Sequence, residues 1–391
     1  MSACLGSFDR NDKISIINAH SVCSKGIKNG VVINIKELTD SIDGLIKQLE
    51  EKSKSKISSV YANITGHHIK TNMAKGRINI SAKDNEITRL DVNRVIDMAT
   101  NTYIPFERYI LHIFPLSFII DEQLDIKSPV GMFGKKLEAE LHIITALASC
   151  VQNIAKSIRA SGIEIAELIF SGFATANAVL SEHEKDLGVV LVDIGAGTTE
   201  IVVFWENNIR FTEVILVGGD CITEAISKEL KISFEYAELI KRRFGCANPR
   251  KLNNDERFVI KDGRWQKGIT RRYLSEIIEP TLNDMISQIK SKIDKVQILK
   301  RVTFGVVFTG GTSLMDDFLE VSEDILGMPV RLGMVKDVIS NIQNINSPDY
   351  LTSIGLVKYG LLKKHKKIQT ISLNFFDKIK FKWKEFIEEY F

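Results

Sequence analysis

Asp193, Gly195, Gly197, Thr198 and Thr199 fall within one short stretch, VDIGAGTTE, and together could clasp an anion. Gly195 and Gly197 let the main chain approach a bound group closely and turn its N–H groups toward it. Thr198 and Thr199 add hydroxyl donors, and Asp193 could hold a divalent metal through water. A P-loop would carry Lys-Ser/Thr after its glycines, and a dinucleotide fingerprint would continue into a helix. Here Glu200 and a β-branched run, Ile201–Phe204, follow. The alternative is an ordinary glycine-containing hairpin. A second candidate is Gly310-Gly311-Thr312 in VVFTGGTSLMDDFLE, where strand, glycines and helix start put backbone donors at one point. Glu238 and Lys241 stand three apart on one helix face, able to meet one ligand or to pair with each other in solvent. His67 and His68 are adjacent, so in an extended chain their side chains point apart and make a poor metal pair.

The elements that must position these residues follow from periodicity. Val189–Val192, Ile201–Phe204 and Arg210–Val217 read as strands joined by the glycine loop and the Glu206–Asn208 turn. Thr303–Phe308 is a buried strand leading into the second loop, with Asp316–Leu326 helical and Pro329–Leu332 extended. Helices are expected at Lys36–Glu50, Asp91–Tyr103, Ser149–Ser161, Phe170–Leu180, Cys221–Leu230, Ser233–Arg243 and Asp349–Gly360. Tyr273–Val296 reads as a long helix, broken or kinked near Pro280. Met1–Phe8 reads as a short lead into a turn, with the first strand at Ile14–Ile17. Ser59–Ile64, Arg77–Ile80, Tyr109–Ile120 and Lys136–Thr145 are further strands, so about Ile69–Leu168 is an α+β module without a catalytic constellation. Asn248–Lys267 reads as a loop with a hairpin.

At 391 residues, 44% apolar and 26% charged, the chain can bury more than one core. A net charge of +3 gives no basic footprint, and nothing in the pattern implicates nucleic acid. The five cysteines are widely spaced without a CxxC pair, which disfavours a zinc site or disulfide framework and suits a reducing compartment. No apolar run reaches membrane-span length.

Taken together, the two glycine loops in this order resemble the actin, Hsp70 and sugar-kinase superfamily. VLVDIGAGT (Val190–Thr198), FEYAELIKRRFGCA (Phe234–Ala247), FTGGTSLMDDFL (Phe308–Leu319) and LTSIGLVKYG (Leu351–Gly360) resemble one branch, the bacterial cell-division protein family FtsA. SSVYANITGHH (Ser58–His68), LHIFP (Leu111–Pro115) and SPVG (Ser128–Gly131) extend the resemblance into the first half. It implies an α/β, actin-like two-lobed fold with an inserted α+β subdomain and a C-terminal amphipathic helix. Residues 1–68 and 169–186 would form the first lobe and 69–168 the insert. Residues 187–222 and 303–362 would form the second lobe's core and 223–302 its upper subdomain, followed by a basic linker (363–374) and the terminal helix (375–391). The resemblance also implies ATP and Mg²⁺. Gly195, Gly197, Thr198 and Thr199 would meet the phosphates and Asp193 would face the metal. Glu238 and Lys241 would meet ribose and adenine, and Gly310, Gly311 and Thr312 the adenosine. It implies self-association, FtsZ and later division proteins as partners, and a place on the cytoplasmic face of the inner membrane at the septum. No residue stands out to position an attacking water, so the catalytic residue is unassigned and the protein is at most a weak ATPase.

One family feature is missing from the sequence: no Asp/Glu-x-Gly-Thr phosphate turn occurs before Tyr61. The expectation is either a start at an internal methionine (or a lost beginning) or a fold that has given up nucleotide. Without the strand that carries that turn, the first lobe should show unpaired backbone. The competing classes fit less well. A kinase of this superfamily needs a catalytic base in a second-substrate pocket, and an Hsp70-like chaperone needs a further substrate-binding domain.

The tail, NFFDKIKFKWKEFIEEYF, places Phe375, Phe376, Ile379, Trp383, Phe386, Ile387, Tyr390 and Phe391 within an arc of roughly 160° if helical. From Lys363 onward there are eight lysines against four acids. Aromatics on one face and lysines at its margin suit a helix lying in an anionic bilayer interface. The alternative is a helix docked on the protein's own core. Trp383→Glu or Phe376→Glu is expected to move the protein from the membrane to the soluble fraction on cell fractionation; retention on the membrane would count against interfacial insertion.

Overall fold

Apolar residues run almost without interruption through Val189–Ile194 and Thr199–Trp205 because both faces of this hairpin are buried. The computed structural model describes residues 1–369 apart from 83, 104, 254, 255, 263, 264, 297 and 298. In it the hairpin forms the middle of a five-stranded sheet. Asn208–Ile215 adds antiparallel on one side, and Val306–Thr309 followed by Val330–Leu332 adds parallel on the other. Alternate side chains then enter different cores. Val190, Val192, Ile194, Ile201 and Val203 pack under helices Gly219–Leu230, Phe234–Phe244, Arg271–Ile293 and Phe318–Leu326. Val189, Leu191, Val202 and Phe204 pack toward Phe170, Ala176, Val179 and Ile354, beneath helices Ser171–Val179 and Pro348–Gln369.

The inserted module is a four-stranded antiparallel sheet in the order Lys70–Asn79, Lys136–Leu147, Arg108–Ile120, Gln123–Ile126. Helix Arg89–Tyr103 lies on it, and its Val95 and Ala99 join Ala74, Leu137 and Leu141 in a core separate from the two above. Gly76 is required there, because a Cβ would stand 2.4 Å from the Val95 carbonyl oxygen.

The first lobe's strands fall into two separate sheets. Ser2–Phe8, Ile14–Ser21 and Val338–Ser340 form one, and Ser59–Ile64 with Glu164–Phe170 forms the other. Among the described residues, Ser2–Phe8 and Ser59–Ile64 are each edge strands of their sheets. Helix Pro348–Gln369 covers both, with Val357 over Gly6 and Gly360 over Tyr61.

Several elements differ from expectation. Met1–Phe8 is largely a strand, because Ile14–Ser21 supplies a partner that local composition does not reveal. The strand expected at Arg77–Ile80 spans Lys70–Asn79, its alternating burial matched to Lys136–Thr145. Arg271–Ile293 is one helix through Pro280 rather than two, with Leu274, Ile278, Leu282 and Met285 fully buried on either side of the proline. The helix expected to stop at Gly360 reaches Gln369, and Lys363 within it pairs with Glu167 rather than lying in a solvated linker. Phe375 through Phe391, the expected interfacial face, lies outside the described residues.

One ion cluster ties the layers together. Glu184, N3 of a capping box begun by Ser181, accepts from Arg331 Nη2 at 2.6 Å and from Lys336 Nζ at 2.8 Å. Burial alone would raise its pKa, but Lys336, the Ser181 backbone and hydroxyl, and Arg331 outweigh it and lower it from 4.5 to about 2. A depressed folded-state pKa contributes stability that is fully present above the unfolded value and is lost as pH falls through the folded one. Glu184→Gln should therefore cost about 2 kcal/mol at neutral pH, reduced from the fully buried value by the exposure of both cations. The deficit relative to wild type should shrink between pH 4.5 and about 2 in denaturant titrations. A deficit independent of pH across that range would refute the electrostatic account.

Candidate functional site

The clasp hairpin closes with Gly195 N donating to Thr198 O at 2.9 Å, which sets Asp193 directly opposite Glu200 and Ile194 opposite Thr199. Opposed residues of an antiparallel pair share a face. Ile194 faces the core under the second lobe's helices, so Asp193 and Glu200 take over the other face where Leu191 and Val202 end. That face opens on a cavity of about 640 Å³. Helix Gly219–Leu230 starts against the loop, with Gly219 N donating to Gly195 O and Asp220 N to Ala196 O. The Ala196 and Gly197 amides have no backbone partner among the described residues.

Close backbone approach explains two of the glycines. At Gly218 a Cβ would stand 2.4 Å from Ala196 O. Gly310 has φ +87°, and its Cβ would stand 2.1 Å from Ile194 O, so the second glycine loop is pressed onto the clasp strand.

Lys241 is buried and committed to neighbours. Its Nζ donates to Gly219 O at 2.9 Å and Thr223 Oγ1 at 2.8 Å, and it lies 2.5 Å from Glu238 Oε2. Thr223 Oγ1 donates to the same Glu238 oxygen at 2.6 Å. Glu238 and Lys241 are thus an ion pair on the cavity wall rather than in solvent.

Of the residues singled out from sequence, Asp193, Gly195, Thr198, Glu238, Lys241, Gly310, Gly311 and Thr312 line this one cavity. Gly197 and Thr199 stand off its wall. Gly197 lies against Asn29 Oδ1, which would be 2.1 Å from a Cβ there, and Thr199 Oγ1 donates to Val217 O at 2.7 Å. Asn63, Thr65, Ser171, Thr352, Glu200 and Arg242 also line it and had not been singled out. Hairpin register alone pairs Glu200 with Asp193. Arg242 follows Lys241 on its helix, and Asn63, Thr65, Ser171 and Thr352 come from distant parts of the chain, where residue type alone does not mark them.

Both carboxylates are perturbed. Burial raises the Asp193 pKa, opposed by the hydroxyls of Thr175 and Thr309. Burial and then the Asp193 charge push Glu200 up to about 8, with Thr65 opposing. Thr175 Oγ1 donates to Asp193 Oδ2 at 2.9 Å and lies 2.9 Å from Thr352 Oγ1, tying the carboxylate to two helices. The donors around the pair are all oxygens. Among the described residues no three His, Cys, Asp or Glu side chains converge as a metal-ligand set. A magnesium ion that keeps several waters needs only one or two carboxylates, and such a donor set fits it. His67 and His68 lie apart from the cavity wall, and burial first, then the neighbouring charges, lowers the His68 pKa to about 4.

Residues 190–355, which carry both glycine loops, match the family profile of cell division protein FtsA, and residues 66–145 match the SHS2 domain inserted in FtsA. The cell division protein FtsA of Pseudomonas aeruginosa is 34% identical over 363 residues, 92% of this chain and 87% of that protein. The chain belongs to the FtsA family. The FtsA of Escherichia coli is 31% identical over 369 residues, covering 92% and 87% respectively. Among solved structures, the chain superposes on one from the PilM–PilN type IV pilus biogenesis complex with a TM-score of 0.64 and 15% identity, covering 92% of this chain and 94% of that one. MreB5 of Spiroplasma citri bound to ADP gives a TM-score of 0.54 at 14% identity, covering 93% and 83%. At these identities the two structures speak for the actin-like fold alone. No described helix is long and apolar enough to cross a membrane. The SHS2 match falls on the inserted sheet described above, the FtsA module that the first-half motifs resemble.

Gly310→Ala is expected to lower stability by about 2–3 kcal/mol, because positive φ and a blocked Cβ act together. Chemical denaturation measures this, and a loss no greater than that of Gly311→Ala, where a Cβ meets open space, would contradict the close approach.

Proposed function

We infer that this chain binds ATP with Mg²⁺ in the cavity between its lobes, self-associates, and tethers FtsZ filaments to the cytoplasmic face of the membrane. The observation that carries the reading is the meeting of the clasp, the Gly310–Thr312 loop and the Glu238–Lys241 pair around one cavity of about 640 Å³, a size suited to a nucleotide. Thr198 and the free loop amides offer donors to phosphate, Asp193 a carboxylate to hydrated Mg²⁺, and Glu238 a polar edge to a ribose. MreB5, which shares the fold, was solved with ADP and with AMPPNP, and this supports a nucleotide in the equivalent place.

Membership of the FtsA family supports FtsZ, further copies of this chain and later division proteins as partners, the last through the inserted sheet. The pattern from Phe375 to Phe391, with Trp383 and Phe386 on its apolar face, supports peripheral attachment to anionic lipid at the septum. The role is that of an adaptor whose nucleotide controls assembly, with at most slow hydrolysis.

Calorimetric titration of the 391-residue chain with ATP and Mg²⁺ tests the central claim. Saturable binding is expected, and Lys241→Met should weaken it about tenfold, or 1.4 kcal/mol, by releasing Glu238 and the Gly219 carbonyl from their positions. A flat titration would leave a nucleotide-free membrane adaptor, a reading favoured by the division of the first lobe's strands between two sheets.

A further inference from the structure

The clasp end of the cavity is short of positive charge. Among the described residues, the basic side chains on its wall are Lys241, Arg242 and Arg243. Lys241 is spent on Glu238, Thr223 and Gly219. The two arginines lie beyond it on helix Phe234–Phe244, which leads on to Cys246 and its bridge with Asp316, at the end opposite the clasp. A phosphate chain at the clasp therefore meets backbone amides and hydroxyls, with no wall cation to offset its charge.

A further segment reaches the clasp from the first lobe. Ile27–Lys28 and Val31–Val32 form a small hairpin joined by Asn29-Gly30. Both turn residues have positive φ, +50° and +77°, the type I′ geometry that an Asn-Gly pair favours. The tip is wedged between the lobes. On one side a Cβ at Gly30 would stand 2.5 Å from Thr65 O, and on the other a Cβ at Gly197 would stand 2.1 Å from Asn29 Oδ1. Gly197 lies outside the left-handed region, so glycine is required there by the approach of Asn29 and not by the turn. Lys28 comes just before this contact. It is exposed, and no ion pair or hydrogen bond occupies its ammonium among the described residues. Its charge is felt by Asp220, a wall residue in the first turn of helix Gly219–Leu230. Burial raises the pKa of that acid, with Lys241 and then Lys28 as the opposing cations.

We propose that the hairpin Ile27–Val32 is the second jaw of the phosphate site, with Lys28 donating to the terminal phosphate of a nucleoside triphosphate and Asn29 seating the tip on the clasp. The proposal rests on the nucleotide reading above and gives that site a means of telling a triphosphate from a diphosphate. With the nucleoside at Glu238 and Gly310–Thr312, the phosphate chain runs toward Ala196, and its last group comes nearest to the tip. A diphosphate stops short of Lys28. Turning the ammonium onto a phosphate oxygen breaks no existing contact, and its flexible stem carries three donors. Because the tip belongs to the first lobe and the clasp to the second, the contact ties the lobes together only when the third phosphate is present.

Calorimetric titration of the full chain with ATP·Mg²⁺ and with ADP·Mg²⁺ tests this. Lys28→Ala should weaken ATP about tenfold and ADP less than about twofold, the loss of one charge-assisted hydrogen bond. Lys47→Ala, which removes the same charge from an exposed position on helix Ile35–Ser53, should change neither. Amide hydrogen exchange over residues 27–32 gives a second readout. ATP should slow it more than ADP does in wild type, and the two should act equally in Lys28→Ala. Wild-type ATP binding with no loss in Lys28→Ala, or with equal losses for ATP and ADP, would overturn the proposal and leave the nucleotide reading intact. A wild-type chain that binds neither nucleotide would overturn both.

Discussion

Burial of one hairpin on both faces governs the rest of this structure. Val189–Ile194 and Thr199–Trp205 carry apolar side chains alternately into a core under the second lobe's helices and into a core shared with the first. A one-residue slip would exchange the two sets and drive Asp193 and Glu200 into the core beneath helix Gly219–Leu230. Burying two charges there without partners would cost several kcal/mol each. Apolar packing along the strands therefore decides where the acids at their ends must point, and that direction is the cavity between the lobes.

The cavity is in turn a consequence of backbones allowed to touch. Gly218 and Gly310 bring the start of helix Gly219–Leu230 and the second glycine loop against the clasp, at distances that no side chain would tolerate. Three segments far apart in sequence then present polar backbone and short side chains to one space. Lys241 secures the arrangement by bonding Gly219 O and Thr223 while paired with Glu238.

Elements with strong internal periodicity were legible from composition and spacing: the clasp strands, the helices Phe234–Phe244 and Arg271–Ile293, and the strand before Gly310. Ser2–Phe8 was not, since its seven residues include small and polar types and it owes its extended form to pairing with Ile14–Ser21. Nor was the continuity of Arg271–Ile293 through Pro280, where local propensity says break and four fully buried apolar side chains say otherwise. Most of the candidate site was read from the two glycine loops and the i,i+3 pair. Thr199 matched the loop pattern as well as Thr198 does, yet its hydroxyl is used up inside the hairpin by Val217 O.

By itself, the sequence determined the residue types at the clasp and the family to which they belong. These are local properties, set by glycine conformation, β-branching and the two-residue period of a strand. Only the tertiary structure decided which of those groups meet, which are already satisfied, and which are left in need. Lys241 has its partners and Thr199 has its own, but Glu200 Oε2 accepts no hydrogen bond among the described residues. The reason is physical. Hydrogen-bond satisfaction and desolvation depend on every group packed around an atom, and here those groups come from Thr65, Thr175, Thr309 and Thr352, brought together only when the two lobes close on one hairpin.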